Sequence, residues 1–429
     1  MASTKEKLLG ALRANLEDYC TIAHDYSFKA NDPVVRLHEP TFGADEIMAA
    51  LECMLSTRVT QGAKVKGFEN EYAAYFGFDN AVMSNSGSSA NLLAIAALAN
   101  KETADGLRPG DEVIVPALAW STTVWPLIQM NLVPVVVDID PGTLNIDPNE
   151  IERAVGPKTR AVIPVHVYGN PCDMNAITDI CARHSLILIE DCCEALGAYY
   201  DGRPVGKFGR VSTYSFYYSH HMTTFEGGIC ATDDFELAEL IRILRSHGWV
   251  RDVEDKERWT EKYPDLNPRF LFVNVGYNLR ATELQGAMGS VQLPKLKGYV
   301  DVRRDNAAWF RSRLEKFGDS LDFQEETPDG HHSWFGFPVL VKENAPFTAE
   351  DMTAFLGEAG IETRPLICGN IALQPGLKLY DHRVVGDLHN ATGVMRFGFS
   401  FGNHHAIDAG AREFVAATVE TFMAQRGLN

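Results

Sequence analysis

Four apolar segments, each followed by a stretch with helical spacing of its apolar residues, constrain the fold of this chain more than any other feature. The segments lie at residues 112–116, 133–140, 160–166 and 185–191. Continuous apolar strands that alternate with helices are typical of a parallel sheet covered by helices on both faces. We therefore expect an α/β fold whose ligands bind at the carboxyl ends of the strands.

The last quarter of the chain has a different pattern, which indicates a second domain. Short strands are expected at 336–341 and 395–399, and helices at 349–359 and 408–424. Such a mixture is typical of a smaller α+β domain, and the long helical pattern at 293–314 leads into it. The expected organisation is an N-terminal arm at 1–43, a large α/β domain at 44–316 and a small C-terminal domain at 317–429.

Charge and composition exclude several classes of partner. The 429 residues carry a formal net charge of −18, which argues against a general surface for nucleic acid or an anionic membrane. No apolar run reaches the roughly 18 residues that a membrane helix needs. The eight cysteines include no Cys-x-x-Cys spacing, so that neither a disulfide framework nor a metal site is indicated. We expect a cytoplasmic protein with reduced thiols.

A small-residue turn between a short strand and a helix is a candidate anion site. Residues 81–91 contain Gly87, Ser88 and Ser89 where the helix should begin. Free backbone N–H groups and small hydroxyls at a helix N-terminus could hold a phosphate monoester. An ordinary capped helix start explains the same residues, because serine is a common N-cap.

Two residues at the ends of predicted strands are candidates for a ligand site. Trp120 lies in a polar loop just past the strand at 112–116, and Asp191 ends the strand at 185–191. A carboxylate so close to a buried apolar run needs a cationic or hydrogen-bonding partner. The alternative is that Asp191 caps the next helix.

The loop at 215–228 carries two adjacent histidines, His220 and His221, after an apolar strand. Since successive strand side chains point to opposite faces, at most one of the two is expected to face a pocket. Two loop histidines without a special role remain the alternative.

The motifs taken together resemble the DegT/DnrJ/EryC1/StrS sugar aminotransferase family, which belongs to fold type I of the pyridoxal-phosphate enzymes. The similarity extends from about Val34 to the last helix. It is carried by Thr60-Gln-Gly62, the motif at 85–91, Glu190 to Gly197, the loop at 215–228 and Gly276 to Arg280.

This resemblance implies a cofactor site for pyridoxal phosphate. The implied cofactor residues are Gly87, Ser88, Ser89 and Ser215 at the phosphate, Trp120 stacked on the ring, and Asp191 at the ring nitrogen. Glu194 takes the place where the family commonly has Gln or His near the ring. Asn278 would reach the cofactor of a neighbouring subunit, which implies a homodimer with a shared active site.

His220 stands where aminotransferases of the family have the lysine that binds the cofactor covalently. The same replacement occurs in the sugar 3-dehydratases of the family, and Lys207 lies too far back to substitute. The resemblance thus implies dehydration at C3 of a nucleotide-linked 4-keto-6-deoxy hexose, with glutamate as amino donor, pyridoxamine phosphate as the reacting form and His220 as the base. Arg364 would bind the sugar nucleotide. His247 and Arg251, which are spaced i and i+4 at a helix end, would reach the sugar or its diphosphate from the same or the neighbouring subunit. The alternative for these two residues is a solvated helix end, where basic groups favour the C-terminal dipole.

Cysteine usage separates two kinds of 3-dehydratase. Cys193 matches one ligand position of the kind that carries an iron–sulfur cluster, but residues 247–270 contain no cysteine for the other three ligands. We therefore favour the cluster-free, glutamate-driven reaction. A reductase-dependent CDP-sugar 3-dehydrase, an ordinary nucleotide-sugar aminotransferase and a non-catalytic sensor that binds cofactor or sugar remain the alternatives.

Overall fold

The computed structural model describes residues 4–428, so that the first three residues of the expected arm and Asn429 lie outside the described residues. The described α-helices, in chain order, are α1 (Thr4–Ala23), α2 (Ala44–Ser56), α3 (Ala63–Phe76), α4 (Gly87–Leu98), α5 (Ser121–Gln129), α6 (Pro148–Ala154), α7 (Met174–His184), α8 (Phe235–Arg245), α9 (Lys256–Lys262), α10 (Glu283–Gln292), α11 (Leu296–Leu314), α12 (Ala349–Glu358), α13 (His389–Phe397) and α14 (Ala409–Ala424). The strands are β1 (Asn80–Ser84), β2 (Glu112–Pro116), β3 (Val133–Val137), β4 (Thr159–Val162), β5 (Ile187–Asp191), β6 (Tyr199–Tyr200), β7 (Arg203–Pro204), β8 (Val211–Ser215), β9 (Gly228–Thr232), β10 (Leu321–Phe323), β11 (Gly330–His331), β12 (Phe337–Val341), β13 (Thr363–Pro365), β14 (Arg383–Val384) and β15 (Gly398–Phe401).

The large sheet has eight strands in the order β1-β9-β8-β5-β4-β2-β3-β14. All its neighbouring strands pair in parallel except β9, which runs antiparallel to both β1 and β8. The apolar segments that follow one another in the sequence form β2 to β5, and helices α5, α6 and α7 connect them. The mostly parallel sheet expected from these segments is confirmed.

A smaller sheet in the C-terminal part has the order β10-β12-β15-β13, with every neighbouring pair antiparallel. Its core includes Phe310 of α11, Phe337 of β12 and Phe422 of α14, each fully buried. The strand expected at 395–399 begins only at Gly398, because the residues before it form α13. The apolar spacing there fits a helix face as well as a strand.

The two parts of the chain are joined at several places besides α11. Strand β14 lies within the expected small domain but pairs with β3 of the large sheet. Val35, in the expected arm, packs on the core of the small sheet and bridges to Ile361. The boundaries at residues 43 and 316 therefore stay predictions.

The sheet topology determines where a ligand can bind. The carboxyl ends of β5 and β8 lie beside the N-termini of α4 and α5, and β13 approaches the same edge from the small sheet, so that residues of all five elements line one cavity. None of the described helices combines the length and the apolarity that a membrane crossing requires.

Candidate active site

A cavity of about 340 Å³ lies at this edge of the large sheet. Among its lining residues are eight that the sequence predicted, namely Gly87, Ser88, Trp120, Asp191, Glu194, Ser215, His220 and Arg364. They come from distant parts of the chain, and the fold brings them together. The cavity is thus the candidate active site.

One end of the cavity is suited to an anion. Ser86 is the N-cap of α4, since its hydroxyl oxygen accepts a hydrogen bond of 3.1 Å from the Ser89 amide. The expected cap is therefore present, yet Gly87 and Ser88 still face the cavity. A Cβ on Gly87 would lie 2.5 Å from Cβ of Ser215, so only glycine allows the helix start to approach this strand end. The helix N-terminus and the serine hydroxyls converge as a phosphate requires.

Ser89 does not share this position. Its hydroxyl donates a 2.6 Å hydrogen bond to Oδ1 of Asn85 and accepts one from the Ser86 hydroxyl. The side chain therefore stabilises the turn before α4 and is not among the residues that line the cavity.

Asp191 is buried, with 4% of its surface exposed, and three neutral donors surround its carboxylate. Oδ2 accepts hydrogen bonds from the Thr123 hydroxyl at 2.7 Å and from Nδ2 of Asn91 at 3.0 Å. Oδ1 accepts one from the Cys193 amide at 3.1 Å. Among the described residues no cation pairs with it. Since no helix follows β5 directly, the helix-cap alternative is excluded, and the negative charge remains available to a ligand.

Sequence reasoning assigned no role to Asn91 and Thr123, although weak signals were present. Asn91 ends the serine-rich motif and lies one helical turn after Ser88 on α4. Thr123 lies in the first turn of α5, close to Trp120. Trp120 itself is half exposed and lies over the cavity as an aromatic wall.

His220 faces the cavity, whereas His221 does not. The His220 ring lies 5.1 Å from the ring of Phe335 and 5.9 Å from that of Tyr217, measured between centroids. The buried His221 donates a 3.0 Å hydrogen bond from Nε2 to the Ser333 carbonyl. The prediction that at most one histidine faces a pocket is confirmed. Phe335 had no signal in the sequence, because only the fold places its segment against this loop.

The environment of His220 makes the imidazole a neutral group. Its buried Nδ1 has no hydrogen-bond partner among the described residues. Burial, together with the positive charges of Arg303 and Arg364, lowers its pKa from 6.5 to about 3. The ring is therefore uncharged at pH 7, rather than partly protonated as an unperturbed histidine would be.

No lysine is found among the residues that line the cavity. Lys207, the nearest candidate in the sequence, forms an ion pair of 2.5 Å with Asp233 and donates to the Gly77 carbonyl at 2.8 Å. Its side chain does not line the cavity, as expected, and does not replace His220.

Glu194 supplies a second titratable group to the cavity. Its Oε2 accepts a 2.9 Å hydrogen bond from the Tyr168 amide. Burial raises its pKa from 4.5 to about 7, an effect that this hydrogen bond and Arg364 only partly oppose and that Asp191 adds to. The carboxyl therefore exists in both protonation states near neutral pH.

Three more expected site residues, in addition to Ser89, lie outside the cavity lining. The helical spacing assumed for His247 and Arg251 is wrong, because α8 ends at Arg245 and His247 has the left-handed backbone angle φ of 63°. Arg251 lies in a 3₁₀ turn, with its guanidinium 5.1 Å from the Trp249 ring. Oδ1 of Asn278 accepts a 3.0 Å hydrogen bond from Arg280. Contacts of these residues with a neighbouring subunit's cavity stay predictions.

Comparison with known proteins identifies relatives over almost the whole chain. GDP-4-keto-6-deoxy-D-mannose 3-dehydratase from Yersinia pseudotuberculosis is 40% identical over 371 residues, which cover 86% of this chain and 93% of the relative. The dTDP-4-dehydro-2,6-dideoxy-D-glucose 3-dehydratase of Saccharopolyspora spinosa is 36% identical over an alignment of 435 positions, which covers 98% of this chain and 92% of the relative.

A solved structure has the same fold and a ligand in place. The crystal structure of GDP-4-keto-6-deoxymannose-3-dehydratase with a trapped PLP-glutamate geminal diamine matches with a TM-score of 0.82 and 38% identity, over 90% of this chain and 99% of that one. The aminotransferase fold expected from the sequence is thereby confirmed. The profile of the DegT/DnrJ/EryC1/StrS aminotransferase family matches residues 40–420, and the chain belongs to this family.

Proposed function

We propose that the protein is a pyridoxal/pyridoxamine-phosphate-dependent 3-dehydratase of a nucleotide-linked 4-keto-6-deoxy hexose. The observation that carries this proposal is the neutral imidazole of His220 in a cavity without a lining lysine. A family member with this site can bind the cofactor but cannot form the covalent lysine bond on which ordinary transamination depends. Both relatives described above are named as 3-dehydratases of nucleotide sugars.

The residues of the cavity fit pyridoxal phosphate. The α4 N-terminus at Gly87 and the hydroxyls of Ser88 and Ser215 would hold the phosphate, and Trp120 would cover the ring. Asp191, which has only neutral donors around it, would pair with a protonated ring nitrogen. When bound, the cofactor carries the amino group and stabilises the negative charge left by a departing proton.

His220 acts as the general base in this proposal. Its neutral imidazole has an unshared electron pair and, with Nδ1 unpartnered among residues 4–428, can accept a proton from carbon. The low pKa of the ligand-free site weakens the base, but the negative charges of a phosphate ester and a sugar diphosphate would raise it. A positioned base typically contributes about 10² to 10⁴ in rate.

Glutamate is the proposed source of the amino group and of the two electrons that deoxygenation requires. The structure with the PLP-glutamate adduct supports this choice by similarity. The overall balance is one sugar and one glutamate converted to one 3-deoxy sugar, one 2-oxoglutarate and one ammonia. The oxygen lost from C3 leaves as water and balances the water consumed when glutamate is deaminated. The two electrons come from glutamate, so that no external reductant is needed.

The proposed assembly is a homodimer with a shared active site. Three expected site residues do not line the cavity of their own protomer, namely Asn278, His247 and Arg251. In the dimer, Asn278 would reach the partner's cofactor, and His247 and Arg251 would reach the sugar nucleotide. We also propose a cytoplasmic location, because all eight cysteines are unpaired, as in a reducing compartment.

Mass spectrometry of the products tests the proposed function. Purified protein is incubated with pyridoxal phosphate, glutamate and a panel of 4-keto-6-deoxy nucleotide sugars, without reductant. The expected product is a sugar that has lost the C3 oxygen. An amino sugar would instead indicate a transaminase, a requirement for an electron donor would indicate the cluster-dependent kind, and binding without turnover would indicate a sensor.

A pair of histidine variants supplies the control. His220→Asn is expected to abolish the deoxygenated product, whereas His184→Asn, which changes an exposed histidine paired with Glu152, should leave it unchanged. Full activity of His220→Asn would show that another group is the base.

A further inference from the structure

The environment behind His220 contains a buried charge with no counter-ion. Arg303 of α11 is 1% exposed, and among the described residues no carboxylate forms an ion pair with it. Burial lowers the pKa of the guanidinium to about 9, so it stays charged at pH 7. A buried charge without a partner is costly, which calls for an explanation in function.

Backbone carbonyl groups take the place of the missing carboxylate. Nη1 of Arg303 donates hydrogen bonds to the carbonyl oxygens of Phe335 at 2.8 Å and Trp334 at 3.4 Å, and also to that of Asn403. The Asn403 amide in turn donates to the Arg303 carbonyl at 3.0 Å. The side chain thus fastens residues 334–335 to α11.

Residues 334–335, which Arg303 holds in place, pack against the loop that carries His220. The Phe335 ring packs against both His220 and His221, with centroids 5.1 Å and 5.9 Å apart. The Phe335 amide donates to the Tyr168 carbonyl at 2.7 Å. A displacement of residue 335 would therefore change the orientation of the His220 ring.

We propose that Arg303 is a positioning residue for His220, which fixes the Phe335 wall against the imidazole and places a permanent positive charge behind it. This inference rests on the proposed function, in which His220 is the base. The charge of Arg303 disfavours a second positive charge on His220, so the imidazole is unprotonated before the reaction, although the same charge makes it a weaker base.

Several other groups also act on His220, but Arg303 is the charged one that the fold buries away from the cavity. The charged and titratable groups around the imidazole come from several elements. They are Arg303 on α11, Arg364 on β13, His38 in the connector after α1, Tyr217 and His221 in the same loop, and Asp191, Cys193, Glu194 and Glu226 in the cavity lining. Arg364 faces the cavity, where an anionic ligand would neutralise it. The effect of Arg303 persists when the site is filled.

The test measures the protonation of His220 directly and then the pH dependence of turnover. NMR titration of ring-labelled histidines, with His220 assigned by loss of its signal in His220→Asn, is carried out on the whole protein without sugar. Arg303→Gln is expected to raise the titration midpoint of His220 by on the order of one pH unit, the effect of one nearby like charge. The acid limb of the dehydration rate should move to higher pH by a similar amount.

Matched variants separate charge, position and folding. Arg303→Lys keeps the charge but not the fork of donors, so it should leave the midpoint near that of the parent and lower kcat. Arg304→Gln, the adjacent arginine that binds Glu326 and the His332 carbonyl, should change neither quantity. Arg303→Met removes the charge without burying an amide and replaces Arg303→Gln if that variant does not fold.

An unchanged His220 midpoint in a folded neutral variant would overturn the proposal. A changed midpoint with no dehydration in the parent would instead contradict the proposed function and leave the electrostatic role of Arg303 standing. The two failures are therefore distinguishable.

Discussion

Replacement of Asp191 by Asn tests the link between the buried carboxylate and the cofactor ring. The variant keeps the size of the side chain and removes its charge. If the side-chain oxygen of the variant accepts the hydrogen bonds from Thr123 and Asn91, its NH₂ group must point at the backbone N–H of Cys193. This N–H lies 3.1 Å from Oδ1 in the parent. Two donors would then face each other, whichever way the amide is turned.

The variant should have two effects, one on the stability of the fold and one on the rate of the reaction. One buried donor left without an acceptor costs about 1–3 kcal/mol of folding free energy. Loss of one partner from a buried charge pair costs about 3–5 kcal/mol, and we expect a barrier increase of that size once the cofactor is bound. This corresponds to a rate lower by roughly 10² to 10⁴.

Single-turnover absorbance of the cofactor, mixed with glutamate, measures the effect in the first half-reaction. Thr123→Val is the matched control, because it removes the 2.7 Å hydrogen bond and keeps the charge. About 1 kcal/mol, or roughly a fivefold slower reaction, is expected for it. An Asp191→Asn rate within tenfold of the parent, or equal to that of Thr123→Val, would refute the role of the charge.

Three further variants test other parts of the site. His220→Lys should bind pyridoxal phosphate covalently, with a new absorbance band, and should lose dehydration; dehydration at the parent rate would mean that the base is misassigned. Glu194→Gln should be more stable than the parent above pH 7 and equal to it below pH 4.5. The reason is that burial raises the pKa of Glu194 from 4.5 to about 7, so that ionisation destabilises the folded state. Urea unfolding at pH 4 and pH 8 measures the difference in the free energy of unfolding. Arg251→Ala should raise the KM for the sugar nucleotide without slowing the glutamate half-reaction, and no change in either would remove Arg251 from the site.

The sequence predicted the parts of the site that depend on local pattern. A strand followed by small residues and a helix placed Gly87 and Ser88 correctly in the cavity lining, and the apolar run before Asp191 placed this carboxylate at a strand end. These features follow from strand and helix geometry within a few residues. The resemblance to a family supplied the roles, which spacing alone could not give.

The features that the sequence did not predict depend on distant segments. Arg303 and Phe335 act on His220 from α11 and from the segment before β12, and neither has a local motif. The spacing of His247 and Arg251 failed for a local reason, since the left-handed backbone at His247 follows the end of α8. The low pKa of His220 likewise arises from burial and from two arginines that only the fold brings near.

The ratio of the three small products tests the central claim most directly. The protein is incubated with pyridoxal phosphate, glutamate and the accepted nucleotide sugar, and 2-oxoglutarate, ammonia and deoxysugar are measured over the same interval. Equal amounts of all three, without reductant and lost in His220→Asn, are predicted. Formation of 2-oxoglutarate with an amino sugar and no ammonia would contradict the account.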